Sequence, residues 1–163
     1  WVHCFTAPRA LTLRRGRVIA RPYLPGLPLA PATLEGAPTD EAGARVAELV
    51  GSRSWRLAFD ASYEGALSVR IGSDSGLSIT LEEGRLTVDL SGTRYPHGGR
   101  RIVTLDAGEA SRVEILHDRS ITEIYLGDGS RVFTTRTFLQ GEGAGVTLSG
   151  AASVTNVSAV RAD

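Results

Sequence analysis

Apolar and polar residues alternate with a period of two from Trp55 onward: Leu57, Phe59 and Ala61; Leu67, Val69 and Ile71; Leu77, Ile79 and Leu81; Leu86, Val88 and Leu90. Successive side chains of a strand point to opposite faces, so this pattern predicts half-buried β-strands with one face on a core. Turn sequences interrupt the runs at Tyr63-Glu64-Gly65, Ser73-Asp74-Ser75-Gly76, Glu82-Glu83-Gly84, His97-Gly98-Gly99, Gly127-Asp128-Gly129 and Gly141-Glu142-Gly143. Short strands punctuated in this way predict an all-β chain. The expected fold is a two-sheet antiparallel β-sandwich, jelly-roll or concanavalin-like, with about 12 short strands.

The first fifth of the chain reads differently. Short strands over Leu11–Arg14 and Arg17–Ala20 flank Arg15-Gly16 as a hairpin, and Pro22, Pro25, Pro28, Pro31 and Pro38 follow in quick succession. Proline lacks the N–H that a ladder needs, so this density predicts an extended segment ordered by the surface it crosses. Between Asp40 and Val50 the apolar positions Ala44, Val46 and Leu49 fit a strand, although the composition also suits a helical turn. Residues 1–38 are therefore expected to form a hairpin and a proline-rich crossing segment, and residues 39–163 the sandwich core, within one domain overall.

Composition narrows the function. A chain of 163 residues can bury a real core without metals or disulfides. Its formal net charge is zero and every positive charge is an arginine, spread along the chain among acids. A nucleic-acid surface gathers a basic excess on one face, so that partner is set aside. No apolar run approaches the roughly 20 residues of a membrane span, and no membrane partner is expected. The single cysteine, Cys4, cannot form an internal disulfide, which leaves cytoplasm and secretion both open for localisation, the cytoplasm slightly favoured. The chain has no methionine and opens on Trp1-Val2-His3 in strand-like sequence, so it reads as a piece of a longer polypeptide.

Glycosidic hydrolysis normally uses two carboxylates held several ångströms apart. Of the many acids, Asp74, Glu82, Glu83, Asp128 and Glu142 sit in turns, where solvated acids are ordinary. Asp118 and Glu123 stand among strand-forming apolar residues, where a charge needs a partner. Arg119 and Arg136 are near enough in sequence to supply one, so Asp118, Arg119, Glu123 and Arg136 are expected to form a structural ion-pair network rather than a catalytic pair. No catalytic residue is assigned.

His3, His97, His117 and Cys4 lack the spacing of a metal site, and neither a metal nor another cofactor is expected. His117 shares a strand face with Val113 and Ile115 and is expected to be packed and hydrogen-bonded. Aromatics are 6% of the chain. Trp55 falls in register with Leu57 and Phe59 and belongs to the core, which leaves Trp1, Tyr23, Tyr63 and Tyr95 as candidates for stacking on a sugar, Tyr63 and Tyr95 foremost.

Two segments carry a resemblance. The stretch from His117 through Asp118-Arg119-Ser120-Ile121-Thr122-Glu123-Ile124-Tyr125-Leu126 to Gly127-Asp128-Gly129, followed by Thr135-Arg136-Thr137-Phe138, resembles Val-Asp-Arg-Ser-Ser-Val-Glu-(Ile/Val)-Phe-(Val)-Asn-(Asp/Gly)-Gly and Thr-(Ser)-Arg-(Ile)-(Phe/Tyr)-Pro. Upstream, Ala7-Pro8-Arg9-Ala10-Leu11-Thr12-Leu13, Gly16-Arg17-Val18 and Arg21-Pro22 are similar to Leu-Pro-Arg-Glu-Leu-Thr-Leu, Asp-Gly-Arg-Leu and Gln-Arg-Pro. Both sets are those of glycoside hydrolase family 32, the invertase, levanase and sucrose-6-phosphate hydrolase group, in its C-terminal β-sandwich domain. Ala10, Gly127 and Leu139 depart from the usual Glu, Asn and Pro.

The resemblance implies a non-catalytic module. In that family the reaction belongs to a five-bladed propeller preceding the sandwich, and its motifs Trp-(Met)-Asn-Asp-Pro-Asn-Gly, Arg-Asp-Pro and Glu-Cys do not occur here. The implied role is support of the stability and assembly of that propeller within a β-fructosidase, a hydrolase of O-glycosyl bonds. The alternatives are a fructan-binding module and a self-association domain. The corresponding partners are the chain's own propeller, a carbohydrate, or a second copy.

Overall fold

The computed structural model describes residues 4–31, 37–38, 46, 53–72, 75–140 and 145–162. Two long strands organise it: β5 (Ser54–Ile71) and β12 (Val146–Arg161) run antiparallel along nearly their whole length. The free edge of β5 takes two different neighbours. Its first half pairs with β9 (Arg112–Asp118), which leads to β10 (Ile121–Leu126) and β11 (Arg131–Arg136). Its last residues pair with β6 (Leu77–Glu82), which leads to β7 (Arg85–Asp89) and β8 (Arg100–Thr104). The long strands thus pass from one sheet into the other, and all pairings are antiparallel. The fold is the expected two-layered β-sandwich.

The bend between the layers has a local cause. Pairing of β12 with β5 slips between Gly150 and Ala152 and again between Thr155 and Ser158. Gly150 has φ of 119°, and a Cβ there would lie 2.1 Å from the Ala66 carbonyl oxygen. Only glycine fits that close approach. Odd-numbered residues of β5 nevertheless face inward on both sides of the bend, so Trp55, Leu57, Phe59, Leu67, Val69 and Ile71 are all fully buried. They meet Leu77, Ile79, Leu81, Leu86, Val88, Ile115, Ile124, Leu148 and Val154 in one core. Every member of the alternating series that predicts the strands is buried.

A separate two-stranded sheet stands at the N-terminal side. β1 (Arg9–Arg14) and β2 (Arg17–Pro22) form the expected hairpin, closed by Arg15 and Gly16 at φ of 48° and 78°. Leu24 accepts a hydrogen bond from the Leu27 N–H at 3.0 Å, making a turn through Pro25 and Gly26. The proline segment then touches β12 at β3 (Ala30–Pro31) and β4 (Ala37–Pro38). Among the described residues each of these strands pairs with β12 through two residues, the second a proline, so the prolines do not exclude a ladder altogether. The strand expected over Asp40–Val50 lies outside the described residues except Val46, which is helical and fully buried, as the alternative reading of that composition allowed. Trp1-Val2-His3 also lie outside them.

The N-terminal segment explains an anomaly in β10. All of its residues are buried, although a strand with one solvent face should alternate. Thr122, Ile124 and Leu126 pair with His117, Ile115 and Val113 on the core side. Ile121, Glu123 and Tyr125 point the other way and are covered by the chain around Ala7 and Arg9.

Candidate functional site

The site with the densest chemistry is the seam between the hairpin and the outer face of the β9–β10 sheet. Three hairpin arginines each reach a carboxylate of the sandwich. Arg9 donates through Nη2 to Glu123 Oε2 at 2.5 Å. Arg17 reaches Asp106 at 3.0 Å and Glu109 at 3.5 Å. Arg21 pairs with Asp128 at 3.1 Å and donates through Nε to its carbonyl at 2.9 Å.

Glu123 is the most enclosed of these acids, with a side chain that is 0% exposed. Position 123 falls on the outward side of β10 by strand alternation, and the overlying chain buries it. Its Oε1 accepts the Ala7 N–H at 2.7 Å, while Oε2 takes the Tyr125 hydroxyl at 2.8 Å as well as Arg9. Arg9 also donates to the Tyr125 oxygen at 3.2 Å and to Thr134 Oγ1 at 2.9 Å. Burial alone would make the Arg9 guanidinium less basic, but its hydrogen bonds to Glu123 and Tyr125 outweigh that and raise its pKa. Burial, reinforced by the bond to Glu123, pushes the Tyr125 phenol well above its ordinary value. Both oxygens of this carboxylate are thus engaged, by a cation and two further donors.

The second buried acid was not legible in the strand pattern. Glu109, 7% exposed, lies in the loop before β9 and receives Arg131 Nε at 3.1 Å besides Arg17. It also accepts the Asp106 N–H at 2.8 Å, while its own N–H bonds the Asp106 carbonyl at 3.0 Å. Asp106-Ala107-Gly108-Glu109 carries the Asp-x-x-Glu spacing of a capping box, the one signal that would have singled it out. At the third contact, Gly129 approaches β2 so closely that a Cβ would lie 2.2 Å from the Ala20 carbonyl oxygen. The Gly127-Asp128-Gly129 turn, all at positive φ, brings Asp128 to Arg21.

The four residues expected to form one network have the following surroundings. Glu123 is clasped by Arg9, from a distant part of the sequence. Asp118 is exposed and accepts the Ser54 hydroxyl at 2.7 Å. Arg119, exposed in the β9–β10 turn at φ of 52°, donates its N–H to the Arg53 carbonyl at 3.0 Å. Arg136 is exposed at the end of β11, opposite Ile121. Asp118 and Arg119 are exposed at and beside the β9–β10 turn, while the hairpin brings Arg9 onto Glu123. Asp118 and Glu123 do line one cavity of 580 Å³, together with Phe5, Pro8, Leu24 and Leu27. In that cavity both Glu123 oxygens are engaged by protein donors, while Asp118 accepts from Ser54.

Of the stacking candidates, Tyr63 is half-buried against the core and donates its hydroxyl to the Ala110 carbonyl at 2.8 Å. Tyr95 is half-exposed, edge-on to Phe138 at 5.2 Å. Tyr23 is exposed and Trp1 lies outside the described residues. His117 is buried, stacked on Trp55 at 5.5 Å and joined through Nδ1 to Thr122 Oγ1 at 2.9 Å. Burial pulls its pKa down to about 4, against a smaller opposing pull from Asp118. Cys4 carries no disulfide. Among the described residues no group of three His, Cys, Asp or Glu side chains is placed to hold a metal, and no helix is long and apolar enough to cross a membrane.

Known proteins share this architecture. Residues 39–162 match the family model described as glycosyl hydrolases family 32 C terminal. The sucrose-6-phosphate hydrolase of Pediococcus pentosaceus is 27% identical over 146 residues, which are 85% of this chain and 29% of that protein. The structure of sucrose-6-phosphate hydrolase from Lactobacillus gasseri superposes with a TM-score of 0.69 at 16% identity, over 93% of this chain and 32% of that one. A glycoside hydrolase family 32 structure from Bifidobacterium adolescentis gives 0.68 at 18% identity, over 96% and 25% respectively. The chain therefore spans about a third or less of these relatives. The superpositions show the shared sandwich fold, and the family match shows that the chain belongs to glycosyl hydrolases family 32 as a C-terminal domain.

Proposed function

We propose that this chain is the non-catalytic β-sandwich of a β-fructosidase acting on sucrose, sucrose 6-phosphate or a fructan, where it supports the stability and assembly of a preceding propeller domain. The observation that carries this reading is the engagement of the buried acids by arginine. Glu123 and Glu109 are the buried carboxylates among the described residues, and each is bound by arginine that joins the hairpin to the sandwich. A catalytic carboxylate must instead present an oxygen to substrate, whereas both Glu123 oxygens and both Glu109 oxygens are taken up by protein donors.

Family membership supplies the rest of the reading, since relatives of this length ratio are described as sucrose-6-phosphate hydrolases. The test is direct. The purified chain is incubated with sucrose, sucrose 6-phosphate, inulin and levan, and released fructose is measured. No release above a buffer control is expected, and sustained turnover that scales with protein concentration would refute the non-catalytic role.

A further inference from the structure

We propose that the gap at the bend of β5 binds a single neutral sugar ring, whose identity as a terminal fructosyl unit rests on the function proposed above. The free edge of β5 pairs with β9 from Ser54 to Asp60 and with β6 from Leu67 to Ile71. Between them, residues 61–66 pair with neither strand, and a cavity of 210 Å³ opens beside Ser62 and Tyr63. The β6–β7 turn lines it with Glu83 and Gly84, and the loop before β9 with Gly108 and Ser111. A hydrogen bond from the Ala61 N–H to the Ser111 carbonyl at 2.8 Å fastens that loop to one end of the gap. The passage of β5 from one layer to the other thus creates the cavity.

Its lining combines an aromatic ring, a carboxylate and two hydroxyls, the groups that hold a sugar by stacking and by hydrogen bonds to its hydroxyls. Tyr63 is half-buried, and its hydroxyl donates to the Ala110 carbonyl at 2.8 Å, so the ring is ordered before a ligand arrives. Glu83 differs from its neighbour. Glu82 accepts Arg85 Nε at 2.6 Å, whereas Glu83 has no arginine partner among the described residues. Both Glu83 oxygens can therefore accept from adjacent hydroxyls of one ring, as charge-assisted bonds. Ser111 Oγ donates to the Gly108 carbonyl at 2.7 Å, which leaves its lone pairs to accept from the ligand. Gly108 keeps the mouth open, since a Cβ there would have nothing within 4 Å and its φ of 77° disfavours a side chain.

Size and charge select the ligand. A cavity of 210 Å³ has room for roughly seven waters at about 30 Å³ each. It is smaller than the roughly 300 Å³ at which pockets for drug-sized molecules begin, which suits one ring with the rest of an oligosaccharide outside. Glu83 is the one charged residue in the lining. A neutral sugar is accepted there, and a phosphorylated one is repelled.

Protein-observed NMR of the purified 163-residue chain tests the site, with fructose, inulin and levan oligosaccharides, maltose and fructose 6-phosphate as probes. Saturable shifts of the Ser62, Glu83, Gly84 and Gly108 amides are expected with fructose and the fructans, and weaker binding with fructose 6-phosphate. Glu83→Ala, in an exposed turn, is expected to weaken binding by about tenfold or more. Tyr63→Ala is expected to abolish it, and Ser111→Ala serves as a second variant should Tyr63→Ala fail to give a folded spectrum. No saturable shift with any sugar, or binding unchanged in Glu83→Ala, would overturn the site. Binding of maltose in place of the fructans would overturn the fructosyl identity. Fructose release by the chain itself refutes the non-catalytic reading alone, because it leaves the amide shifts and their loss in Glu83→Ala as the separate measure of this site.

Discussion

His117 and Thr122 face each other across β9 and β10 on the core side, and their hydrogen bond leaves His117 Nε2 without a partner. A neutral imidazole tolerates that position; an imidazolium does not. The folded protein therefore resists protonation of His117 until about pH 4, whereas the unfolded chain takes up that proton near the ordinary value of 6.5. Because the unfolded state binds more protons in this window, the contribution is fully present above about pH 6.5 and is lost as pH falls through about 4. It is worth roughly 3 kcal/mol. Chemical denaturation between pH 7 and 4 is expected to show a steeper loss of stability in the wild type than in His117→Gln. Parallel pH profiles would remove His117 as the cause. The packed, hydrogen-bonded state of this residue was legible from its place beside Val113 and Ile115, since strand alternation alone puts it on the core side.

Strands were the most legible elements, because each alternating series reports its own inward face without reference to the rest of the chain. What alternation does not contain is the path of β5 and β12, which each serve two sheets. That depends on Gly150, whose positive φ and contact with the Ala66 carbonyl permit the bend. Gly150→Ala is expected to cost more than about 2 kcal/mol through combined strain and clash. Gly16→Asn in the hairpin turn also sits at positive φ, yet it has nothing within 4 Å of its Cβ, and is expected to cost less than about 1 kcal/mol. Urea unfolding of the two variants checks the contrast, and equal losses would show that the bend tolerates a side chain. Glu123 shows the complementary limit of sequence reading. Its need for a partner is visible in the apolar stretch around it, but the partner, Arg9, is 114 residues away and arrives only when the hairpin folds over β10.

At the scale of the whole molecule, the hairpin and the sandwich are distinct sheets joined by charge. Arg9, Arg17 and Arg21 supply the cations, and Glu123, Asp106, Glu109 and Asp128 the anions. These contacts differ in worth. Arg17 with Asp106 and Arg21 with Asp128 are solvent-exposed pairs that contribute little. Arg9 with Glu123 is different, because the carboxylate is wholly enclosed and leaving it unpaired strands a charge among Ala7 and Tyr125. Under the proposed function, Glu123 serves to fasten the hairpin to the sandwich. The measurement that bears most directly on that claim is a double-mutant cycle on the purified chain, with denaturant unfolding of Arg9→Ala, Glu123→Ala and the double variant. Glu123→Ala alone is expected to cost roughly 3 kcal/mol, with a coupling to Arg9 above about 1 kcal/mol. Additive losses, or a Glu123→Ala protein as stable as the wild type, would contradict the structural role of this carboxylate.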